Sequence, residues 1–450
     1  MQALALLEKY NVPVPRYTSY PTVPMWETEN SSAERWMKYV QASFKANQEI
    51  SLYIHLPYCE SLCTYCGCNK HITKNHLVEV PYIKAVLKEW KMYTSRLAQK
   101  PVLGEIHLGG GTPTFFQPEN LRMLVEGLLA DAAVADKHDF SFEAHPNSTS
   151  YAHLETLYAL GFNRVSIGVQ DFDPKIMRTI NRVQTEAEVE EVTRWAREIG
   201  YQSVNFDLIY GLPLQTLENL KHNLQKVAAL KPDRIAFYSY AHVPNVAKGQ
   251  RAYSEQDLPS SQAKLEMYLS GKKGLQRLGY HHIGMDHFAL AKDELAQSFA
   301  KKKLHRNFMG YTTKHTKLCI ALGASAISDS WTAYAQNEKT LKNYLLRVKQ
   351  EDLPPIMKTH FLTQEDLEIR EQILSLICHF ETNWFSQKSK FSVAMQQNLA
   401  ALERDGLLKV FPHQIKISQL GKNFIRNICA VLDVRLARQK LKQPTFSKAV

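Results

Sequence analysis

The chain reads as an α/β protein: a partial (β/α)6 TIM-like barrel with an N-terminal arm and a small C-terminal helical, winged-helix-like domain. Three observations predict this. First, six short apolar, β-branched or aromatic runs recur at residues 51–57, 105–109, 139–144, 164–169, 203–209 and 234–240. Helix-period stretches lie between most of them, at 80–97, 119–131, 184–199 and 216–230, and such alternation implies right-handed crossovers and a parallel sheet. Second, polar or glycine-rich segments follow the strand ends: a cysteine loop, Gly109-Gly110-Gly111-Thr112-Pro113, His145-Pro146-Asn147, Gln170-Asp171, Tyr210-Gly211-Leu212-Pro213 and His242. In barrels of this kind the working face is the C-terminal end of the strands. Third, helical patterns at 364–379 and 391–405 lead to LLKVF, a Pro412-His413-Gln414 turn, IKIS and a further helix at 419–435. Helices followed by a two-stranded hairpin define the winged-helix-like expectation.

The elements divide into an arm at 1–44, a barrel at 45–290, a barrel extension or connecting segment at 291–359 and the C-terminal domain at 360–450. Pro13, Pro15 and Pro21 make 13–22 unsuited to regular helix, so that stretch is expected to lie as an extended arm. The barrel is where the chemistry-bearing residues concentrate.

Cys59, Cys63 and Cys66 follow in C-x3-C-x2-C spacing, with Tyr65 before the third cysteine and Cys68 just after it. That spacing is too tight for a disulfide framework and fits three thiolates around one iron–sulfur cluster, which soft thiolate ligands favour. Three ligands would leave one iron open, and an open position is where chemistry occurs. The rival is a structural zinc knot using Cys59, Cys63, Cys66 and Cys68, although the second separated Cys-x-x-Cys half usual in such sites is missing.

The composition is that of an ordinary globular enzyme of 450 residues, without an apolar run of transmembrane length. The N-terminal sequence lacks a charged start followed by an extended apolar stretch, so no signal peptide is expected. Seven cysteines, four of them crowded into one loop, point to a reducing cytoplasm. Cys319, Cys378 and Cys429 sit in apolar contexts and are expected as buried free thiols. A net charge of +11 suits something acidic, whether nucleic acid, an anionic membrane or a polycarboxylate substrate. Lys301, Lys302 and Lys303 read as a solvated face.

Glycines at 109–111 let the backbone approach a ligand and expose amide and carbonyl groups to it, although alone they also fit a tight turn. Glu143 closes a strand and, read alone, is a surface carboxylate. Arg182, read alone, is a salt-bridging residue on a helix face.

The cysteine spacing, with its aromatic residue, resembles the radical S-adenosylmethionine (SAM) superfamily. The resemblance implies a [4Fe–4S] cluster whose open iron chelates SAM, which is cleaved to methionine and a 5′-deoxyadenosyl radical. PRYTSYPT at 15–22, Cys66-Gly67-Cys68-Asn69, GVQDF at 168–172, Asn181-Arg182 and FDLIYGLPLQT at 206–216 narrow the comparison. With GMDHF at 284–288, LHRNFMGYTT at 304–313 and IRNICAVLD at 425–433, they resemble the oxygen-independent coproporphyrinogen III oxidases over nearly the whole chain.

That resemblance implies two SAM molecules beside one cluster. Cys59, Cys63 and Cys66 would ligate the cluster, and Cys68 would not. Tyr53, Tyr65, Gly110, Glu143 and Ile327 would line the first SAM. Gly111, Thr112, Gln170, Arg182, Asp207 and Ala241 would line the second. One departure stands out: His145 occupies a position where Asp or Asn is expected, which puts in question any hydrogen bond made from there.

The implied reaction is oxidative decarboxylation of two propionates of coproporphyrinogen III to vinyl groups, giving protoporphyrinogen IX. Enclosure by the arm and the C-terminal domain would protect the radical. The implied partners are the substrate and an unidentified electron donor and acceptor, with a monomer expected and neither nucleic acid nor membrane. The alternative is a haem-binding chaperone of the same superfamily; such relatives lack the PRYTSYPT arm and carry an aromatic residue where this chain has Cys68. A third class, a nucleic-acid-modifying radical enzyme or regulator using the winged-helix-like tail with Arg435, Arg438, Lys440 and Lys442, would show steeply salt-dependent binding.

Overall fold

In the computed structural model the described residues are 6, 8–27, 29, 31–244, 247–383, 392–438 and 446. They form two compact units, one built from Glu27–Leu278 with Thr316–Phe361, the other from Met1–Trp26, Gly279–His315 and Leu362–Val450. Among the described residues no helix is long and apolar enough to cross a membrane.

In the larger unit, strands β1 (Glu49–Leu56), β2 (Val102–Gly110), β3 (Ala133–Ala144), β4 (Arg164–Gln170), β5 (Ser203–Tyr210) and β6 (Arg234–Ser239) lie parallel in sequence order. These are the six predicted strands. Helices α1 (Ala33–Ala46), α2 (Glu79–Thr94), α3 (Pro118–Ala130), α4 (Tyr151–Ala159), α5 (Pro174–Thr179), α6 (Glu186–Ile199), α7 (Leu217–Leu230), α8 (Ser261–Arg277) and α9 (Leu341–Gln350) complete the alternation. Helix starts follow the sequence: α6 begins at a capping box of Thr185 with Glu188, and α7 at one of Thr216 with Asn219.

The sheet extends beyond the prediction. A seventh parallel strand, β7 (Cys319–Leu322), pairs with the other edge of β1, and β8 (Ile327–Asp329), β9 (Ala333–Asn337) and β10 (Ile356–Phe361) continue it antiparallel. Pieces as short as the three residues of β8 carry too little periodicity to be recognised from sequence.

The two faces of the parallel sheet differ in chemistry. One face carries Leu52, Ile54, Ile106, Leu108, Phe140, Phe142, Val165, Ile167, Val204 and Phe206, all fully or almost fully buried. The other carries Ser51, Tyr53, His55, Glu105, His107, Ser141, Glu143, Ser166, Asn205 and Asp207, in the alternate positions of the same strands. Register aligns these residues into cross-strand rows: Ser51 lies beside Glu105, His107 beside Ser141, Glu143 beside Ser166, and Ser166 beside Asn205. The rows are hydrogen-bonded, with the Ser51 hydroxyl donating to Glu105 at 2.7 Å and the Asn205 amide to Ser166 at 2.8 Å.

The second unit contains the PRYTSYPT stretch, which forms no helix from 14 to 22 but bends at 18–21 rather than running extended throughout. The Tyr17 hydroxyl donates to Asp433 at 3.1 Å, Arg426 Nε donates to the Pro15 carbonyl at 3.1 Å, and Arg16 pairs with Asp286. Helices Gln364–His379 and Val393–Arg404 lead into the hairpin of Leu408–Phe411 and Gln414–Ile417, with Glu381–Asn383 as its third strand. A helix at Ile425–Leu432 follows. Arg435 grips Asp366 at 2.6 and 2.8 Å and Arg438 grips Glu365 at 2.7 and 2.8 Å, whereas Lys440 and Lys442 lie outside the described residues. Lys302 pairs with Glu381. Cys319, Cys378 and Cys429 are buried free thiols, as expected.

A buried carboxylate fastens the added strands to the barrel. Glu89 on α2 accepts from Gly323 N–H at 2.9 Å, Asn337 Nδ2 at 2.7 Å and Tyr344 Oη at 2.7 Å. Burial pushes its carboxyl from the ordinary 4.5 to about 7, against the pull of those three donors. The folded chain therefore keeps a proton that the unfolded chain has released, so stability present below about pH 4.5 is lost as pH rises through about 7. Glu89→Gln is expected to remove this dependence, about 3 kcal/mol at most, when urea unfolding at pH 5 and pH 7.5 is compared with the parent chain.

Candidate active site

The strand ends of the larger unit surround a cavity of about 520 Å³, within the range of small-molecule sites. Of the residues singled out in the sequence, Cys59, Cys63, Cys66, Tyr65, Gly110, Gly111, Thr112, Glu143, Gln170, Arg182 and Asp207 line it. Tyr53, Ala241 and Ile327 are not part of its lining. Tyr53 lies beneath, its hydroxyl 3.1 Å from His55 Nδ1 and its ring stacked on His107. The Ala241 carbonyl accepts from Gln250 Nε2 at 3.1 Å, and Ile327 opens β8.

The cysteine loop leaves β1 and is tied down by backbone bonds. His71 N–H donates to Pro57 O at 2.7 Å, Thr73 N–H to Cys59 O at 2.9 Å and Thr64 N–H to Ile180 O at 3.0 Å. The glycine turn packs directly on it. Gly111 N–H donates to Leu56 O at 2.8 Å, and a Cβ on Gly111 would stand 2.7 Å from the Pro57 carbonyl oxygen. Gly110 has φ +115, and a Cβ there would strike the His55 ring. Thr112, next in line, donates its hydroxyl to Cys59 Sγ at 3.3 Å. Lys70 Nζ reaches the Cys66 carbonyl at 2.9 Å.

Arg182 is the pivot. Its Nη1 reaches the Tyr65 hydroxyl at 3.1 Å and Cys63 Sγ at 3.6 Å, Nε donates to Gln184 Oε1 at 2.8 Å, and Nη2 donates to the Gly168 carbonyl. At 7 % exposure it is a cation enclosed among polar acceptors. Two carboxylates face the same space. For Glu143, burial raises the pKa, but His107 (Nε2 3.6 Å away) and a 3.1 Å bond from Gly110 N–H outweigh it and hold the group below the usual range. Asp207 is pushed up to about 7 by burial and by Glu143, despite bonds from Asn205 at 2.9 Å and Ser166 at 3.3 Å.

His145 resolves the question raised by the sequence. Its Nδ1 accepts from Asn147 N–H at 3.2 Å, capping the Pro146–Ser148 turn as an Asp or Asn side chain would. Burial first, then the Arg182 charge, holds its ring well below the ordinary histidine pKa, which keeps that nitrogen an acceptor. Ser166, Asn205, His107 and Lys70 belong to the constellation and were not singled out from sequence. For the three strand residues a usable signal existed: polar residues at every second position of otherwise apolar strands.

A latch behind the cavity joins two strand-end loops. Asp171, 1 % exposed, accepts from Gln215 Nε2 at 2.7 Å, Asn223 Nδ2 at 2.8 Å and Asp173 N–H at 2.7 Å. Gln215 Oε1 in turn accepts from Leu212 N–H at 3.2 Å and from Gly211 N–H at 2.6 Å. Beside this latch, Gln170 is held at φ 68, in the left-handed region.

Three thiols on one wall, two of them receiving hydrogen bonds from Thr112 and Arg182, form a donor set suited to iron–sulfur ligation. Among the described residues no three His, Cys, Asp or Glu side chains gather about a point for a single metal ion; each thiolate of a cubane takes a separate iron. The fold and this wall define a radical SAM protein, and the Radical SAM superfamily model matches residues 53–227. The chain is 37% identical to an oxygen-independent coproporphyrinogen III oxidase of Pseudomonas aeruginosa, over 99% of this chain and 98% of the relative. It is 38% identical to the Escherichia coli protein of that name, over 99% and 98%. The solved structure of coproporphyrinogen III oxidase from Escherichia coli, described as a radical SAM enzyme, superposes with a TM-score of 0.88 at 35% identity, covering 96% of this chain and 98% of that one. This chain belongs to the family of oxygen-independent coproporphyrinogen III oxidases. Membership of the superfamily implies a [4Fe–4S] cluster and SAM.

Removing the latch has a measurable cost. Gln215→Ala leaves the Gly211 and Leu212 amides without their acceptor and takes one donor from Asp171. A loss of about 2–3 kcal/mol in urea-unfolding stability is expected.

Proposed function

We propose that this chain converts two propionates of coproporphyrinogen III to vinyl groups without oxygen, giving protoporphyrinogen IX. The observation that carries this reading is the near-full-length likeness to proteins of that name, joined to a cavity walled by Cys59, Cys63 and Cys66. The haem-binding chaperone alternative is not favoured, because the relatives matched over 98% of their length bear the oxidase name.

Cys59, Cys63 and Cys66 would hold the cluster. The cluster and SAM, when bound, supply a 5′-deoxyadenosyl radical. Tyr53, Tyr65, Gly110, Glu143 and Ile327 would serve one SAM, and Gly111, Thr112, Gln170, Arg182, Asp207 and Ala241 a second. Glu143, charged and fixed by Gly110 N–H and His107, is prepared to accept bonds from ribose hydroxyls. Arg182 offers a guanidinium to a carboxylate, already oriented by Gln184 and Gly168.

At each reacting propionate a hydrogen atom leaves the β-carbon and the bond to the carboxylate breaks. Carbon dioxide and one electron depart, and the vinyl group remains. The substrate's four carboxylates suit a chain of net charge +11 whose cavity carries Lys70, Lys74 and Arg182. The reaction also takes an unidentified electron donor and acceptor, and a cytoplasmic monomer is expected.

The test is anaerobic turnover with reconstituted cluster, dithionite, SAM and coproporphyrinogen III, followed by porphyrin mass. Loss of two carboxyl groups coupled to SAM cleavage, with Cys63→Ala abolishing both, supports the reading. SAM cleavage with unchanged porphyrin would transfer the chemistry to another substrate. Haem retention without SAM cleavage would restore the chaperone alternative.

A further inference from the structure

Among the described residues, the lysine and arginine side chains lining the cavity are Lys70, Lys74 and Arg182, and the structure leaves them unequal freedom. Arg182 already donates to Gln184, Tyr65, Cys63 and Gly168, and it is enclosed. Lys70 is partly committed. Its ammonium bonds the Cys66 carbonyl at 2.9 Å and the Cys68 carbonyl at 3.4 Å, which leaves one of its three protons over. Lys74 is exposed and makes no hydrogen bond or ion pair among the described residues.

The segment that carries both lysines is fixed against the thiol wall. His71 and Ile72 pair with Tyr58 and Cys59, Thr73 N–H donates to Cys59 O at 2.9 Å, and Asn75 N–H donates to Thr73 Oγ1 at 3.1 Å. Lys70 leads into this segment and Lys74 leaves it, so both side chains start from held backbone. Acids hold the opposite side of the cavity, where Glu143 stands on β3 and Asp207 on β5. A carboxylate entering the cavity is therefore repelled from the strand side by ionised Glu143 and drawn to the loop side by two ammonium groups. Glu60 is the opposing charge on the loop, its Oε1 4.0 Å from His76 Nε2.

We propose that Lys70 and Lys74 hold the substrate's surviving carboxylates, the two propionates that are not decarboxylated. The inference rests on the reading of this chain as a coproporphyrinogen decarboxylase. A porphyrinogen is an apolar macrocycle whose carboxylates are its only charges, so ammonium groups on the loop side grip it by ends that do not react. These anchors persist after the first carbon dioxide is lost, and both decarboxylations then take place on one bound molecule. Lys70 and Lys74 are positioning residues: they orient the macrocycle and take no part in bond breaking.

The test uses the cluster-loaded protein, anaerobic and without SAM, so that nothing turns over. Calorimetry measures binding of coproporphyrinogen III and of its neutral tetramethyl ester. The parent chain is expected to prefer the acid. Lys70→Gln combined with Lys74→Gln should weaken acid binding about tenfold and leave the ester within about twofold. Lys70→Arg combined with Lys74→Arg, which keeps both charges, should hold the acid within about threefold of the parent. In turnover the glutamine pair should raise the KM for coproporphyrinogen about tenfold and release the tricarboxylic monovinyl intermediate into solution. The saturated rate of the first decarboxylation and the KM for SAM should stay within about twofold. Lys74→Gln alone leaves the Lys70 bonds to the cysteine loop in place and is expected to weaken acid binding about threefold. Acid binding by Lys74→Gln equal to the parent's would overturn the proposal, as would equal weakening of acid and ester. A parent chain that binds neither macrocycle would instead overturn the decarboxylase reading, and this inference with it.

Discussion

The polar inner face of the parallel sheet is the constraint on which the rest of this structure depends. A closed barrel fills its interior with branched apolar side chains. Here serine, histidine, asparagine and carboxylate residues occupy those positions, and each must find a hydrogen-bond partner or be charged the desolvation penalty. Cross-strand register supplies the partners: Ser51 with Glu105, His107 with Ser141, Asn205 with Ser166. A slip of one residue in any strand would send its apolar set inward and its polar set against the helices. The polar rows therefore fix register as firmly as the hydrophobic face does, and they leave groups at their upper end for ligands.

At that upper end the Arg182 cation and the carboxylates of Glu143 and Asp207 share a confined space, which separates the carboxylates chemically. Glu143 has His107 and an amide to stabilise its charge, so it stays ionised. Asp207 feels Glu143 and burial more strongly than its neutral donors, so its carboxyl rises to about 7. Neighbouring acids with different proton occupancy can meet different partners: one an acceptor for hydroxyls, the other able to donate as well as accept. Arg182 ties this pair to the cysteine loop, since the same guanidinium touches Tyr65 and lies near Cys63.

Much of this was legible in the sequence, for identifiable reasons. The six strands were visible because both faces of a buried parallel strand exclude long polar runs. The cysteines and the glycine turn were visible as motifs, Glu143, Gln170, Arg182 and Asp207 were named through the resemblance, and the fold brings them all to one cavity. Ile327 and Ala241 were named by resemblance, and no local signal places them; they stand outside the cavity lining. β7 escaped because its pairing is set by chain more than 250 residues away, as Ser51 beside Cys319 illustrates, and β8 to β10 are short strands added to it one after another. The Glu89 network escaped for the same reason, since its partners Gly323, Asn337 and Tyr344 are remote in sequence. His145 shows that a residue type can depart from expectation while the hydrogen bond survives.

The position of β7 has a consequence for how the chain reaches its folded state. β1 is an interior strand only because Cys319–Leu322 pairs with the edge that β2 leaves open. During synthesis from the N-terminus, β1 to β6 leave the ribosome long before that partner exists. Until then β1 presents unpaired amides and carbonyls beside Leu52 and Ile54, an open apolar edge of the kind that recruits foreign strands. The nascent chain thus carries a sticky margin through much of its translation, and closure comes late, through a contact of long sequence separation. Holding that margin apart from its neighbours is work for chaperones while the chain is made.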